Sequence, residues 1–331
     1  MTKVLITGIA GLLGANFSRY LLKKGYTVIG IDDLSGGYIE NVPSECKFYN
    51  FNLTDSKKVN EVFENEKPNY VYHFAAYAAE GLSPFIRNFN YTNNLLASVN
   101  VINACINNNT DKLIFTSSMA VYGKGNPPFT ESQKPSPEDP YGIAKYAVEL
   151  DLHVAKMQFG LSYSIVRPHN VVGKYQNIWD KYRNVIGIWI RQAIAGDPLT
   201  IFGDGSQTRA FSDISFYNKP FEKLMSQYDG EIFNIGADKP HTINEVSGMV
   251  VDVAKKFGLT SSKLHLEPRN EVHTAYCNHD KAKTMLAFSD NTDLAMSIED
   301  MFRWALIQKN REVFYTDYEI TKNIYSFWEN K

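Results

Sequence analysis

The sequence predicts an α/β protein: a doubly wound parallel sheet carrying a smaller α/β lobe. Three observations predict it. Short β-branched runs alternate with helix-length stretches through the first half of the 331 residues, the pattern of repeated strand–helix–strand units. Several runs are apolar along their whole length, as strands covered by helices on both faces must be. A glycine-rich turn joins the first such run directly to the first helical stretch.

In chain order, KVLIT at Lys3–Thr7 is the first strand, and a helix over 11–24 follows. Strands are expected at 27–31 (TVIGI), 47–51, 70–74 (YVYHF), 112–116 (KLIFT) and 162–166 (SYSIV). Helices are expected between them at 55–65, 86–107 and 139–159. After Gly173 the alternation loosens. A helix at 185–195, the turn-rich FGDGSQTR, a strand at 232–235, and helices at 243–257 and 298–308 are the expected elements there. No repeat of 20–50 residues and no low-complexity linker interrupts the chain. We expect a sheet domain over 1–173, rejoined by a segment near 210–235, and an interleaved second lobe over 174–331.

Charge and composition exclude several classes. Lys plus Arg total 34 against 36 Asp plus Glu, a formal charge of −2. That balance offers no field for nucleic acid or anionic lipid, so neither is an expected partner. No apolar run reaches the roughly 18–20 residues that span a bilayer. MTKVLITG enters a strand without a signal-like segment. Cys46, Cys105 and Cys277 are too few and too scattered for a disulfide framework, so a reducing cytoplasm is the expected compartment. An aromatic content of 13% argues against disorder.

The turn Thr7-Gly8-Ile9-Ala10-Gly11-Leu12-Leu13-Gly14 has a clear physical purpose. Gly8 permits the tight turn, Gly11 lets backbone approach a pyrophosphate, and Gly14 allows the helix to pack closely on the strand. Leu12 and Leu13 open the helix, whose free amides and positive dipole end suit phosphate. Asp32 lies 18 residues beyond Gly14, at the end of the second strand, where a carboxylate can accept bonds from ribose hydroxyls and repel a 2′-phosphate. Together these make a Rossmann dinucleotide site selecting NAD over NADP. Asp33 is a second candidate contact.

Three Tyr-x-x-x-Lys pairs occur: Tyr20/Lys24, Tyr141/Lys145 and Tyr318/Lys322. Only Tyr141 follows a strand ending in Thr116-Ser117-Ser118 and itself starts a helix, DPYGIAKYAVEL. A tyrosine with a pKa of about 10 is a poor base at neutral pH. A lysine one turn along shares its face and favours the phenolate, while Ser118 would hold the reacting oxygen. Ser118, Tyr141 and Lys145 are therefore the candidate catalytic residues.

The GxxGxxG spacing, HFAA (73–76), TSSMAVYG (116–123), PYGIAK (140–145) and RPHNVVG (167–173) resemble the extended short-chain dehydrogenase/reductase family. Within it they resemble the nucleotide-sugar epimerase/dehydratase branch, UDP-glucose 4-epimerases above all, from Lys3 to about Phe288. The resemblance implies that Phe74, Ala75 and Ala76 line the cofactor path and that Asn94 holds the loop and helix beside it. It implies that Pro168 and His169 lie near the nicotinamide, and that Lys145 also touches the nicotinamide ribose. Asn170, Asn184, Arg209 and Arg269 match substrate-binding positions, the two arginines gripping a diphosphate. Tyr276 falls where a bulky side chain leaves no room for an N-acetyl group. The implied substrate is a nucleotide sugar, a UDP-hexose, and the implied assembly a homodimer through the long helices at 86–107 and 141 onward.

Met119 and Ala120 stand where dehydratases and decarboxylases of this branch carry an acid. Elimination needs an acid–base pair beside the tyrosine, so their absence favours 4-epimerisation over 4,6-dehydration, decarboxylation or 4-keto reduction. Retention of the Tyr–Lys pair argues against a non-catalytic NAD-binding regulator. The chain also departs from the family pattern. Asn52-Leu53 replaces Asp-Leu at the adenine, Tyr77 a lysine, and Glu271-Val272 an aspartate at the ribose. His273, Cys277 and His279 lack a fourth ligand, so no metal is expected.

Overall fold

The structure is a computed structural model and describes residues 2–269, 271–311, 313 and 315–329. Six strands of the first half are β1 (Lys3–Thr7), β2 (Thr27–Asp32), β3 (Lys47–Asn50), β4 (Tyr70–His73), β5 (Lys112–Thr116) and β6 (Tyr163–Pro168). A seventh, Glu231–Ile235, comes from the second half and pairs parallel with β6. The order across the sheet is Glu231–Ile235, β6, β5, β4, β1, β2, β3. The chain builds outward from β1 to β3 and then returns to the other side of β1 with β4. Open parallel sheets bind ligands beyond the strand C-termini at such a reversal.

Both faces are covered. Helices Ser56–Glu66 and Pro140–Phe159 and the long helix from Arg87 pack on one face, around Val59, Phe63, Val101, Val148 and Leu152. Helices Leu12–Lys23, Asn218–Leu224 and Asp280–Leu286 pack on the other, around Phe17, Tyr72, Phe221 and Leu286. Burial of each large apolar side chain contributes roughly 1.5–3 kcal/mol. Helix Pro140–Phe159 shows why its sequence is helical. Asp139 caps it by accepting from the Gly142 amide at 2.9 Å, Pro140 opens the first turn, and Gly160 ends it at φ 73°, where an L side chain would be strained.

The helix expected at 86–107 runs Arg87–Asn107 but contains a π-helical turn, Thr92–Leu96. The helix expected at 298–308 begins at Leu294 instead, because Asp293 accepts from the Met296 amide at 3.1 Å.

The second lobe centres on helices Val185–Ala195, Ile243–Lys256 and Leu294–Ala305, with Trp189, Ile190, Val250 and Phe302 in its core. A Thr242–Glu245 capping box starts Ile243–Lys256. Strand Thr208–Ala210 lies between Pro240–Thr242 and Thr274–Ala275, and Leu199–Phe202 pairs with Lys263–Leu266. Residues 315–329 return to the first half. The Glu319 amide donates to the Phe85 carbonyl at 2.8 Å, and its carboxylate accepts from the Asn88 and Phe89 amides at 2.6 and 2.7 Å. Among the described residues, no helix is long and apolar enough to cross a membrane.

Candidate active site

A cleft of about 950 Å³ runs from the carboxyl ends of β1, β2 and β4 to the second lobe. At its sheet end, Gly8 takes φ +72°, and a Cβ there would stand 2.7 Å from the Ala75 nitrogen. A Cβ on Gly14 would stand 2.3 Å from the Gly8 carbonyl oxygen, so Gly14 packs behind the turn while Gly8, Gly11, Leu12 and Leu13 line the cleft. Gly11 is the helix N-cap and offers no side-chain cap, which leaves the first-turn amides to a ligand.

Asp32 and Asp33 line the same end. Asp32 accepts from the Ala10 amide at 3.0 Å and the Leu34 amide at 2.8 Å. Burial still pushes its carboxyl up to about 6. Asp33 accepts from the Ser35 amide at 2.9 Å and from the Asn52 side-chain amide at 2.6 Å. The Asn52 carbonyl oxygen, expected to read the adenine, accepts instead from the Thr54 amide at 2.9 Å.

The other wall is fixed by polar ties through its base. The Thr7 hydroxyl meets His73 Nδ1 at 2.7 Å, and His73 Nε2 meets the Ser98 hydroxyl at 2.8 Å. Burial, and secondarily Lys145, hold that imidazole neutral, down at about 3. Phe74, Ala75 and Ala76 follow it along the cleft, with Leu53 opposite. Asn94 does not line the cleft. It is buried, accepts from the Tyr77 amide at 2.8 Å and donates to the Tyr77 carbonyl at 3.1 Å, fastening the loop to the π-helical turn.

Ser118, Tyr141 and Lys145 meet in the middle of the cleft. Ser118 accepts from the Ala120 amide at 3.1 Å and is hydrogen-bonded to the Tyr141 phenol. Lys145 donates to the Thr116 carbonyl at 2.7 Å. The expected lowering of the tyrosine is not present in this arrangement: burial pushes Tyr141 well up, Ser118 lowers it, and Glu80 and Asp139 raise it further. Burial also pulls the Lys145 ammonium down to about 7, with Glu149 acting the other way. Beneath them lies a buried ion pair. Arg167 Nε donates to Glu149 at 2.9 Å, its Nη2 to the other carboxylate oxygen, and its Nη1 to the Tyr122 hydroxyl at 2.8 Å. Pro168, His169 and Asn170 continue from β6 into the cleft.

At the far end stand Asn170, Asn184, Arg209 and Arg269. Asn170 sits at φ 44° and donates to the Ala210 carbonyl at 3.1 Å. Asn184 caps Val185–Ala195 by accepting from the Ile186 amide at 3.1 Å. The two arginines share Glu271, at 3.1 Å from Arg209 and 3.6 Å from Arg269. Tyr276 is not brought to the cleft; Ala275 is. Ala275 ends strand Thr274–Ala275 and Tyr276 lies just past it, so the bulky side chain on which exclusion of an N-acetyl group rested is not in the lining. Neither Tyr20 nor Tyr318 lines the cleft.

Several lining residues escaped the sequence reading. Arg183 stacks 4.7 Å from the centroid of Tyr77 and pairs with Asp180 at 2.9 Å. A Cβ on Gly36 would stand 2.4 Å from its guanidinium, so the Ser35-Gly36-Gly37 run was the available signal. Glu80 and Asp139 also face the cleft. The cleft walls crowded around Glu80 and then Asp139 raise its carboxyl, although the side chain is exposed to the open cleft. Met119 and Ala120 bring no acid, yet other segments bring Glu80 and Asp139 into the cleft.

Comparison with known proteins agrees with this geometry. The profile of the NAD dependent epimerase/dehydratase family matches residues 4–236. A putative UDP-glucose 4-epimerase of Methanocaldococcus jannaschii is 30% identical over 306 residues, covering 91% of this chain and 97% of that protein. The UDP-glucose 4-epimerase of Thermotoga maritima, solved with UDP-glucose, superposes with a TM-score of 0.87 at 28% identity, covering 92% of this chain and 99% of that one. The Thermus thermophilus UDP-glucose 4-epimerase, solved with NAD, gives 0.86 at 26% identity, covering 92% and 98%. A UDP-glucuronate 4-epimerase of Thermodesulfobacterium geofontis is also similar, at 25% identity over 91% of this chain and 95% of that protein.

The residues present fit NAD. A Cβ at Gly8 or Gly14 would collide with backbone behind the turn, so only glycine lets the turn close tightly under a phosphate. The uncapped helix end suits a pyrophosphate, and the Asp32 carboxylate lines the same end as an acceptor suited to the ribose hydroxyls of NAD. This chain is a member of the NAD-dependent epimerase/dehydratase family, an enzyme that uses NAD on nucleotide sugars.

Proposed function

We propose that the chain is a nucleotide-sugar 4-epimerase of the UDP-glucose/UDP-galactose type. The observation that carries this reading is one cleft holding Ser118, Tyr141 and Lys145 in its middle and Arg209 with Arg269 at its far end. A sugar anchored by its diphosphate reaches the tyrosine from there, and the similarity to UDP-glucose 4-epimerases supports the same substrate class.

NAD, when bound, supplies a reversible two-electron acceptor and a positive ring charge that favours the phenolate. Tyr141 takes the 4-hydroxyl proton as C4 becomes a ketone. Ser118 holds that oxygen by hydrogen bonding, and Lys145 holds the ribose and the phenolate. Arg209 and Arg269 exchange Glu271 for the diphosphate, so the sugar stays tethered while its ring turns over. Tyr141 then returns the proton as C4 is reduced on its other face. No oxidant or reductant is consumed.

Incubation with UDP-glucose, UDP-galactose, UDP-glucuronate and UDP-N-acetylglucosamine, followed by NMR without added cofactor, tests the reading. Interconversion of glucose and galactose forms is expected. Tyr141→Phe should keep the cofactor and lose turnover by at least ~10²-fold; unchanged turnover refutes the role. The Glu80–Asp139 pair favours a second reading, 4,6-elimination, whose product would be one water lighter. A 4-keto reductase would instead need stoichiometric NADH.

We also propose a homodimer through the two long helices. Ile143, Leu150, Val154 and Met157 are exposed along one face of Pro140–Phe159, and Leu96 is exposed on the neighbouring helix. Their spacing makes one apolar stripe.

A further inference from the structure

Between the arginine end of the cleft and Tyr141 stands one acid that neither the fold nor the reaction steps above require. Glu80 begins the 3-10 turn Glu80–Phe85, and that turn is fixed to the catalytic helix. The Ser83 hydroxyl accepts from the Tyr141 backbone amide at 3.2 Å and lies 3.3 Å from the Asp139 carboxylate. The backbone of Glu80 is therefore fixed relative to Tyr141, and its side chain is exposed toward the cleft. Its carboxylate has no hydrogen bond or ion pair among the described residues, although it lines the cleft with Gly81, Pro84 and Phe85. Its field comes from both ends: Asp139 on the tyrosine side, and Arg209, Arg269 and Glu271 on the other. An acid that faces the open cleft beside another acid, with no protein donor, has acceptor capacity that a ligand's donors can satisfy once the ligand displaces water.

A sugar whose diphosphate lies on the arginines and whose C4 lies at Tyr141 must pass this carboxylate. We propose that Glu80 is a specificity-determining residue, accepting hydrogen bonds from the hydroxyls of a neutral hexose and excluding a hexuronate by like-charge repulsion. This rests on the 4-epimerase reading and deepens it, choosing between the neutral-sugar and uronate substrates that similar proteins use. Glu271 already occupies both arginines, which the diphosphate then takes. Arg183, the other guanidinium lining the cleft among the described residues, is paired with Asp180 at 2.9 Å, so a uronate carboxylate beside Glu80 and Asp139 would meet no unpaired guanidinium.

The test is calorimetric binding of UDP-glucose and UDP-glucuronate to the NAD-loaded protein and to Glu80→Gln. Glutamine keeps the shape and an acceptor oxygen while removing the charge. The unmodified protein should bind UDP-glucose at least ~30-fold more tightly than UDP-glucuronate, the size of a few-ångström like-charge contact in a partly desolvated site. Glu80→Gln should tighten UDP-glucuronate by ~10-fold or more and change UDP-glucose by less than ~5-fold. Equal affinities in the unmodified protein, or an unchanged ratio in Glu80→Gln, overturn the proposal and leave the epimerase reading standing. Binding of neither nucleotide sugar overturns both. Glu80→Ala, which removes acceptor and charge together, should weaken UDP-glucose while still admitting the uronate; tightening of UDP-glucose there would also overturn the proposal.

Discussion

Replacing Arg167 by methionine strands the Glu149 carboxylate under the catalytic centre. Both side chains are nearly inaccessible, 2% and 3% exposed, and Arg167 supplies two of the donors on that carboxylate, the Ser117 hydroxyl being another. It also donates to the Tyr122 hydroxyl, which in turn donates to the Asn234 side-chain carbonyl at 2.8 Å. Removing one member of a buried pair costs about 3–5 kcal/mol, a large share of the 5–15 kcal/mol that typically separates folded from unfolded. The cofactor-free protein should show that loss as a lower urea midpoint at pH 7.5. Converting Glu149 to leucine as well should recover most of the stability, since apolar groups of similar volume can replace a buried pair at little cost. A single variant within about 1 kcal/mol of the unmodified protein, or a double variant no better than the single, would refute the reasoning.

Other predictions address the same cleft. Lys145 is held down at about 7 by burial, whereas unfolded lysine titrates near 10.5, so the folded state is penalised below pH 7 and the penalty fades as pH rises toward 10. Lys145→Met should therefore stabilise the cofactor-free protein at pH 7 by ~1–3 kcal/mol, allowing for the lost Thr116 bond, while abolishing turnover; lower stability in thermal melts would contradict this. Gly14→Ala should destabilise by at least ~2 kcal/mol and weaken NAD binding, because its Cβ meets the Gly8 carbonyl at 2.3 Å; NAD titration by fluorescence checks it. Asp32, pushed up to about 6, should make NAD affinity fall as pH drops through that value, and Asp32→Asn should flatten the dependence at a lower affinity. Leu150→Glu should shift the protein from dimer to monomer in light scattering while leaving NAD binding intact.

The first half of the chain was legible because its signals are local. Apolar strands, the glycine turn, and Asp139-Pro140 at the helix start each announce themselves within a few residues. The Ser118–Tyr141–Lys145 group could be found because a strand end and a helix start have recognisable neighbours. Glu80 could not, since it lies in a loop without periodicity and is aimed by Ser83 bonding to a segment nearly 60 residues away. Arg183 was hidden likewise, its place set by space left at Gly36. Lys263–Leu266 is largely exposed, so burial imposed no alternation on it. Tyr276 illustrates a different limit: resemblance carried the segment to the cleft, but Ala275 lines it while Tyr276, just past the strand end, does not.

The π-helical turn at Thr92–Leu96 has a consequence for how relatives of this chain diverge. Such a turn holds one more residue than an α-helix of the same length, and each residue rotates a helix by about 100°. Losing a single residue there would swing Asn94 away from Tyr77 while leaving the helix continuous and its core contacts after Ala97 repairable. Insertion and deletion at this point thus act as a rotary adjustment of the cleft wall. A one-residue gap in an alignment at this helix, easily dismissed as noise, would mark a lineage whose cofactor loop is held by a different device.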